Sequence, residues 1–155
     1  MINRELKDRA GKANTLNNLG IMYNRLDRYD KSIEYHELAL PINRELKNRR
    51  SEGITLFNLG NAWMMVDKQG KAISCFEQSL AIARELMDIR RQGEALMMLG
   101  TTHLGLDRYD KALDYFEQAL RLERENKDRR DEGDTLMRIG ASTVAIEIAA
   151  RREYG

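Results

Sequence analysis

The 155-residue chain has one cysteine, one proline and two histidines, and its charges nearly cancel, 26 basic against 25 acidic. With Cys75 alone, no disulfide can form within the chain. Two histidines 67 positions apart and a single thiol do not supply a metal site of the usual ligand number, so no metal or other cofactor is expected. A net charge of +1 provides no field to steer the protein toward nucleic acid or an acidic membrane surface. No apolar run approaches the roughly 20 residues of a membrane span, and the first residues, Met-Ile-Asn-Arg-Glu, are not a signal peptide. A cytoplasmic protein bound to neither membrane nor nucleic acid is expected. Catalytic patterns fail too: His36-Glu37 begins a zinc-protease-like motif, but position 40 is leucine. Cys75 has no basic neighbour in sequence to make it a nucleophile, so it reads as a packed thiol and the chain as no enzyme.

What is present is repetition. Leu19-Gly20, Leu59-Gly60, Leu99-Gly100 and Ile139-Gly140 are spaced 40 residues apart. A ring follows three residues after each of the first three glycines, at Tyr23, Trp63 and His103. Lys31, Lys71 and Lys111 keep the register, as do Leu40, Leu80 and Leu120, and the Arg-Glu pairs beginning at Arg44, Arg84 and Arg124. Self-similarity over the whole length is the signature of a stacked array whose units bury their apolar faces against neighbours. The array divides into the tail of an incomplete repeat (1–9), repeats at 12–47, 52–87 and 92–127, and a terminal helix at 132–153, all within one body, 1–155. Residues 2–7 are identical to residues 42–47, which marks the start as such a tail.

Each repeat reads as two helices. Leu16, Leu19, Tyr23 and Leu26 make one stripe of a helix over 12–26. A second helix over about 28–47 carries Ile33, His36, Leu40 and Leu46 inward, and His36 aligns with Phe76 and Phe116 as a core ring. Glycine inside a helix costs about 1 kcal/mol relative to alanine, so its fourfold return at Gly20, Gly60, Gly100 and Gly140 predicts close approach of another helix backbone. Asp27, Asp67 and Asp107 are expected to cap the second helices from the front. Pro41 is expected to kink the first of those helices without breaking it. The pairs Arg49-Arg50, Arg90-Arg91 and Arg129-Arg130 alternate with acidic residues and predict a self-neutralising edge.

The stretch Leu-Asn-Asn-Leu-Gly-Ile-Met-Tyr, and Asp107-Arg108-Tyr109-Asp110-Lys111-Ala112-Leu113-Asp114-Tyr115-Phe116 after Leu99-Gly100, resemble the tetratricopeptide repeat. The usual unit is about 34 residues; the longer unit here is similar to repeats of kinesin light chain and of G-protein-signalling adaptors. The resemblance implies an all-α fold, a right-handed superhelical solenoid of antiparallel helix pairs, whose first helices line a groove for a peptide or amphipathic helix. Carried over by position, the lining is Asn14, Asn17, Ile21, Asn24 and Arg25, then Ile54, Phe57, Asn61, Met64 and Met65, then Glu94, Met97, Thr101, Leu104 and Gly105. Asparagine amides would hold a peptide backbone, and the phenylalanine and methionines would form an adaptable apolar floor. Of the slots that grip a chaperone's C-terminal carboxylate in one branch of the family, only Asn58 matches. Expected partners are a protein or peptide. The alternative is a homodimer joined through the terminal helix, with Val144, Ile146 and Ile148 as candidate contacts. A third reading is a regulatory part of a larger signalling enzyme.

Overall fold

A computed structural model describes the backbone of residues 2–125 and 129–154, and the side chains of residues 4–125 and 133–148. The described residues form seven helices: α1 (Ile2–Arg25), α2 (Tyr29–Glu45), α3 (Arg49–Met65), α4 (Gln69–Glu85), α5 (Ile89–Leu104), α6 (Tyr109–Glu125) and α7 (Arg129–Tyr154). They fall into two compact units, Met1–Leu86 with α1 to α4 and Met87–Gly155 with α5 to α7. In the first unit α1 packs on α2 and on α3, α2 on α3, and α3 on α4; in the second α5 packs on α6 and α6 on α7.

The turns explain where the helices stop. Asp27, Asp67 and Asp107 have φ of 57°, 59° and 56°, the left-handed region that short polar side chains tolerate best. In the first turn Asp27 N–H donates to the Asn24 carbonyl and Arg28 N–H to the Tyr23 carbonyl. These two bonds close a Schellman motif, so the aspartates end the first helices rather than cap the second ones as expected. The side chain accepts from a side chain rather than from the backbone of the next helix: Asp27 Oδ1 accepts from Tyr29 Oη at 2.6 Å, and Asp107 accepts from Tyr109 in the same way. Helices α2 and α4 begin at Arg28 and Lys68 with no side-chain cap. The turns that lead into α3 and α5 do carry caps, Asn48 accepting from Ser51 N–H and Asp88 from Arg91 N–H.

One expected helix boundary moves. The first helix starts at Ile2 rather than at residue 12, so the presumed tail and the helix after it are one rod. The same six residues that end in a turn at Lys47 (φ 52°) thus run on as helix at 2–7. Helix α2 continues through Pro41 to Glu45.

The expected stripe on α1 is corrected as well. Leu19 is 37 % exposed and Leu26 62 %, while Ala13, Asn17 and Gly20 are buried. Small and polar residues line the seam with α2, and the glycines show how close the second helix comes. A Cβ on Gly20 would lie 2.6 Å from the His36 ring, and one on Gly60 would lie 2.7 Å from the Phe76 ring. Gly100 stands against Phe116 in the same way. The neighbour is therefore a side-chain ring of the second helix, not another backbone. Gly140 has nothing within 4 Å of that point.

Around these contacts the first unit buries Ile33, Leu56, Leu59, Ala62, Cys75 and Ile82 in one cluster. Burial pushes the Cys75 thiol up to about 11, which leaves it un-ionised at neutral pH. The repeated lysines also have a place, since Lys31 lies 5.3 Å from the Tyr23 ring centroid and Lys71 3.9 Å from that of Trp63. Arg49 pairs with Glu85 at 2.5 Å and with Glu52 at 2.6 Å, and Glu52 also accepts from Arg44 at 2.9 Å. Hydrogen bonding to Arg49 holds the Glu85 carboxyl below its ordinary range. Arg90 pairs with Glu94 and Arg91 with Asp88; the side chains of Arg129, Arg130 and Asp131 lie outside the described residues.

Candidate functional site

The first unit has an open cavity of about 120 Å³ lined by Ile21, Asn24, Arg25, His36, Asn58 and Asn61. Helix α1 supplies Ile21, Asn24 and Arg25 from its last two turns, α3 supplies Asn58 and Asn61 one turn apart, and α2 supplies His36 from between them. Three amides and a guanidinium surround it, and no carboxylate is among the lining residues. An amide offers a donor and an acceptor together, which suits a peptide group.

Beneath the cavity runs a buried polar chain. Asn43 Nδ2 donates to Thr55 Oγ1 at 3.1 Å, Thr55 Oγ1 donates to Asn17 Oδ1 at 3.0 Å, and His36 Nδ1 lies 3.2 Å from that same oxygen. Asn17 Oδ1 accepts only, so the imidazole proton sits on Nδ1. His36 is fully buried and its Nε2 has no partner. Burial pushes its imidazole down to about 4, so the ring is neutral at physiological pH.

The expected lining residues separate into several environments. Asn24, Arg25 and Asn61 meet at the cavity, joined by Ile21 and Asn58. Asn17 is 8 % exposed with its carbonyl already engaged, so it supports the site from below instead of facing a ligand. Asn14 stands exposed two turns before the cavity. Phe57 is half-buried against Phe76, with centroids 5.6 Å apart and rings tilted by 59°. Met64 is half-buried and Met65 is 52 % exposed near the end of α3. In the second unit, Met97 and Thr101 face α7: Thr135 Oγ1 donates to Met97 Sδ at 3.4 Å and Arg138 Nη1 to Thr101 Oγ1 at 3.0 Å. Leu104 is half-buried at the end of α5.

His36 is the member that sequence reasoning placed only as a core ring. A signal was present, because Asn17 and His36 stand 19 residues apart, as do Phe57 and Phe76 in the next repeat. A contacting apolar pair in one repeat is a contacting polar pair in the other. That covariation within a single chain identifies the first repeat as the one with different chemistry.

Residues 11–85 and 67–125 each match the sequence model of the tetratricopeptide repeat. The chain belongs to that family. No curated protein sequence matches it. Its fold is similar to that of BtubC (BKLC) from P. vanneervenii, with TM-score 0.81, 22 % identity, and coverage of 87 % of this chain and 56 % of that one. It is similar to the apo form of RapI, with TM-score 0.82, 20 % identity, and coverage of 88 % and 50 %. It also resembles the TPR-like repeats of a kinesin light chain from Podosopora anserina, with TM-score 0.73, 14 % identity, and coverage of 86 % and 66 %. The chain thus spans about half the length of BtubC and RapI. The family's repeats serve as scaffolds for protein interaction. Among the described residues no helix is long and apolar enough to cross a membrane, and no group of His, Cys, Asp or Glu is placed to hold a metal.

Proposed function

We propose that the first unit binds a peptide segment of a protein partner, without catalysis, along the face where Asn24, Arg25, Asn58 and Asn61 surround the cavity. The observation that carries this reading is the convergence of three amides and one guanidinium on a concave site. These groups can pair with the donors and acceptors of an extended peptide, while Ile21 offers an apolar wall. The absence of a lysine or a second arginine in the lining speaks against a C-terminal carboxylate as the main anchor. The test is selection from a displayed library of random peptides, followed by calorimetric titration of the winners. Asn58→Ala combined with Asn61→Ala is expected to weaken binding at least about 10-fold while the thermal melt stays cooperative. Equal affinity in the folded double variant removes the reading.

A second reading, a homodimer through α7, has its own support. Leu136, Val144 and Ile148 are 45 %, 54 % and 48 % exposed, and Ile146 is half-buried. Leu96, the counterpart of Leu136 in α5, is 1 % exposed. Light scattering after size exclusion decides: a mass near twice 18.0 kDa that Val144→Glu halves supports the dimer, and a single-chain mass at every concentration removes it.

A further inference from the structure

We propose that the exposed face of α7 around Gly140 is a docking seat for an amphipathic helix of another protein, one that brings an aromatic ring flanked by small residues. This surface lies in the second unit and does not depend on the cavity between α1 and α3.

The chain carries three precedents. Gly20 receives the ring of His36, Gly60 that of Phe76 and Gly100 that of Phe116, each from the helix that follows. A small residue stands four positions before each ring and another three positions after it: Ser32 and Ala39, Ala72 and Ser79, Ala112 and Ala119. All six are at most 4 % exposed, and the three rings are fully buried. Positions i, i+4 and i+7 share one face of a helix, so each second helix sets a ridge of small, ring and small residues against its glycine.

Gly140 is the fourth such glycine, and nothing lies within 4 Å of the place its Cβ would take. Leu136 one turn before it and Val144 one turn after it are 45 % and 54 % exposed. Leu56 and Leu96, which hold the place of Leu136, are each 1 % exposed. The turn that brings a second helix back is also missing here. Asp27, Asp67 and Asp107 turn the chain with positive φ, whereas Glu147 holds their place inside α7, which runs on to Tyr154. Helix α7 thus keeps the glycine and apolar flanks of a first helix, and among the described residues no side chain fills the seat.

Charge and composition select the occupant. Lys31 and Lys71 stand five residues before His36 and Phe76 and lie over the rings of Tyr23 and Trp63. In α7 that ring is replaced by Thr143, and the exposed carboxylate of Glu147 follows one turn later. A cation five residues before the incoming ring therefore meets an acidic partner. A second copy's α7 does not fit, because residues 133–148 contain no aromatic side chain. The three ridges of a second copy are already buried in their own helix pairs. The occupant is then a foreign helix with a basic residue, a small residue, a ring and a second small residue at that spacing, laid into the face as a helix in a groove.

The probe is the peptide of residues 109–125, which carries Lys111, Ala112, Phe116 and Ala119. It is titrated into the 15N-labelled full chain. Expected are saturable shifts of the Leu136, Gly140 and Val144 amides, and binding about 10-fold or more weaker when the peptide carries Phe116→Ala. Gly140→Ala in the protein puts a methyl where the ring must lie. It is expected to weaken binding by a similar factor while the thermal midpoint stays level or rises, so the loss is not one of folding. Four results overturn the proposal: no saturable shift, equal affinity of the Phe116→Ala peptide, equal affinity of the Gly140→Ala chain, and shifts confined to α5, where the peptide has exchanged with the resident α6. A chain that dimerises through α7 and excludes the peptide gives the first of these.

Discussion

The first two repeats of this chain have one geometry and two chemistries. In both, a glycine on the first helix receives a ring from the second helix, His36 on Gly20 and Phe76 on Gly60. In both, the residue three positions before that glycine touches the same ring, Asn17 in the first repeat and Phe57 in the second. One pair is polar and tied to Thr55 and Asn43, and the other is two apolar rings. The lesson is that the glycine fixes the distance between helices while the ring remains free to vary. A repeat protein can therefore place a polar site in one unit without altering the helix pair that carries it. The second unit makes the same point at its end, where Gly140 keeps the glycine but has no ring beside it.

The comparison breaks most completely if the apolar ring is removed. Phe76→Ala takes a fully buried side chain from the centre of the first unit and is expected to cost about 3–5 kcal/mol, read as a loss of unfolding free energy in denaturant. A loss below 1 kcal/mol would mean that Phe76 does not anchor the pair.

Acid should single out the polar ring. His36 titrates near 4 in the folded chain against about 6.5 unfolded, so between those values the unfolded state binds more protons. Stability is then full above pH 6.5 and declines as pH falls toward 4, by up to about 3 kcal/mol from this group. His36→Phe should flatten that part of the profile measured by thermal melts, and a profile unchanged by the substitution contradicts the burial assigned to His36.

The glycines sharpen the contrast further. Gly60→Ala drives a Cβ into Phe76 and should cost about 2 kcal/mol even after the gain in helix propensity. Gly140→Ala meets nothing and should instead stabilise by roughly 0.5–1 kcal/mol. Equal effects at the two sites would show that the ring contact is not what selects glycine. The smallest effect belongs to the exposed pair of Arg9 and Glu45: Arg9→Ala is expected to change stability by about 0–1 kcal/mol, less in high salt.

Much of this was legible beforehand, and the exceptions have physical causes. The 40-residue period and the Leu-Gly landmarks identified helix pairs because each unit must bury the same face. The aspartates were assigned to the wrong helix, since Asp serves both as an N-cap and as a left-handed terminator, and only the backbone φ separates the two roles. Asn17 resembled a ligand-facing amide because a polar residue on a first helix carries no mark of burial. Its burial depends on His36 and Thr55, which lie 19 and 38 residues away. Asn24, Arg25 and Asn61 were identifiable from their positions in the repeat, but their meeting around one cavity depends on α1 lying beside α3.

The most direct test of the central claim, that the first repeat's polar chemistry marks where a partner segment lies, is a chemical-shift map of the 15N-labelled chain with a library-selected peptide. The account predicts that the perturbed residues cluster on Ile21, Asn24, Arg25, Asn58 and Asn61, with His36 shifting from beneath. Perturbations confined to the exposed faces of α2 and α4, or to α7, with those five residues unmoved, would contradict it.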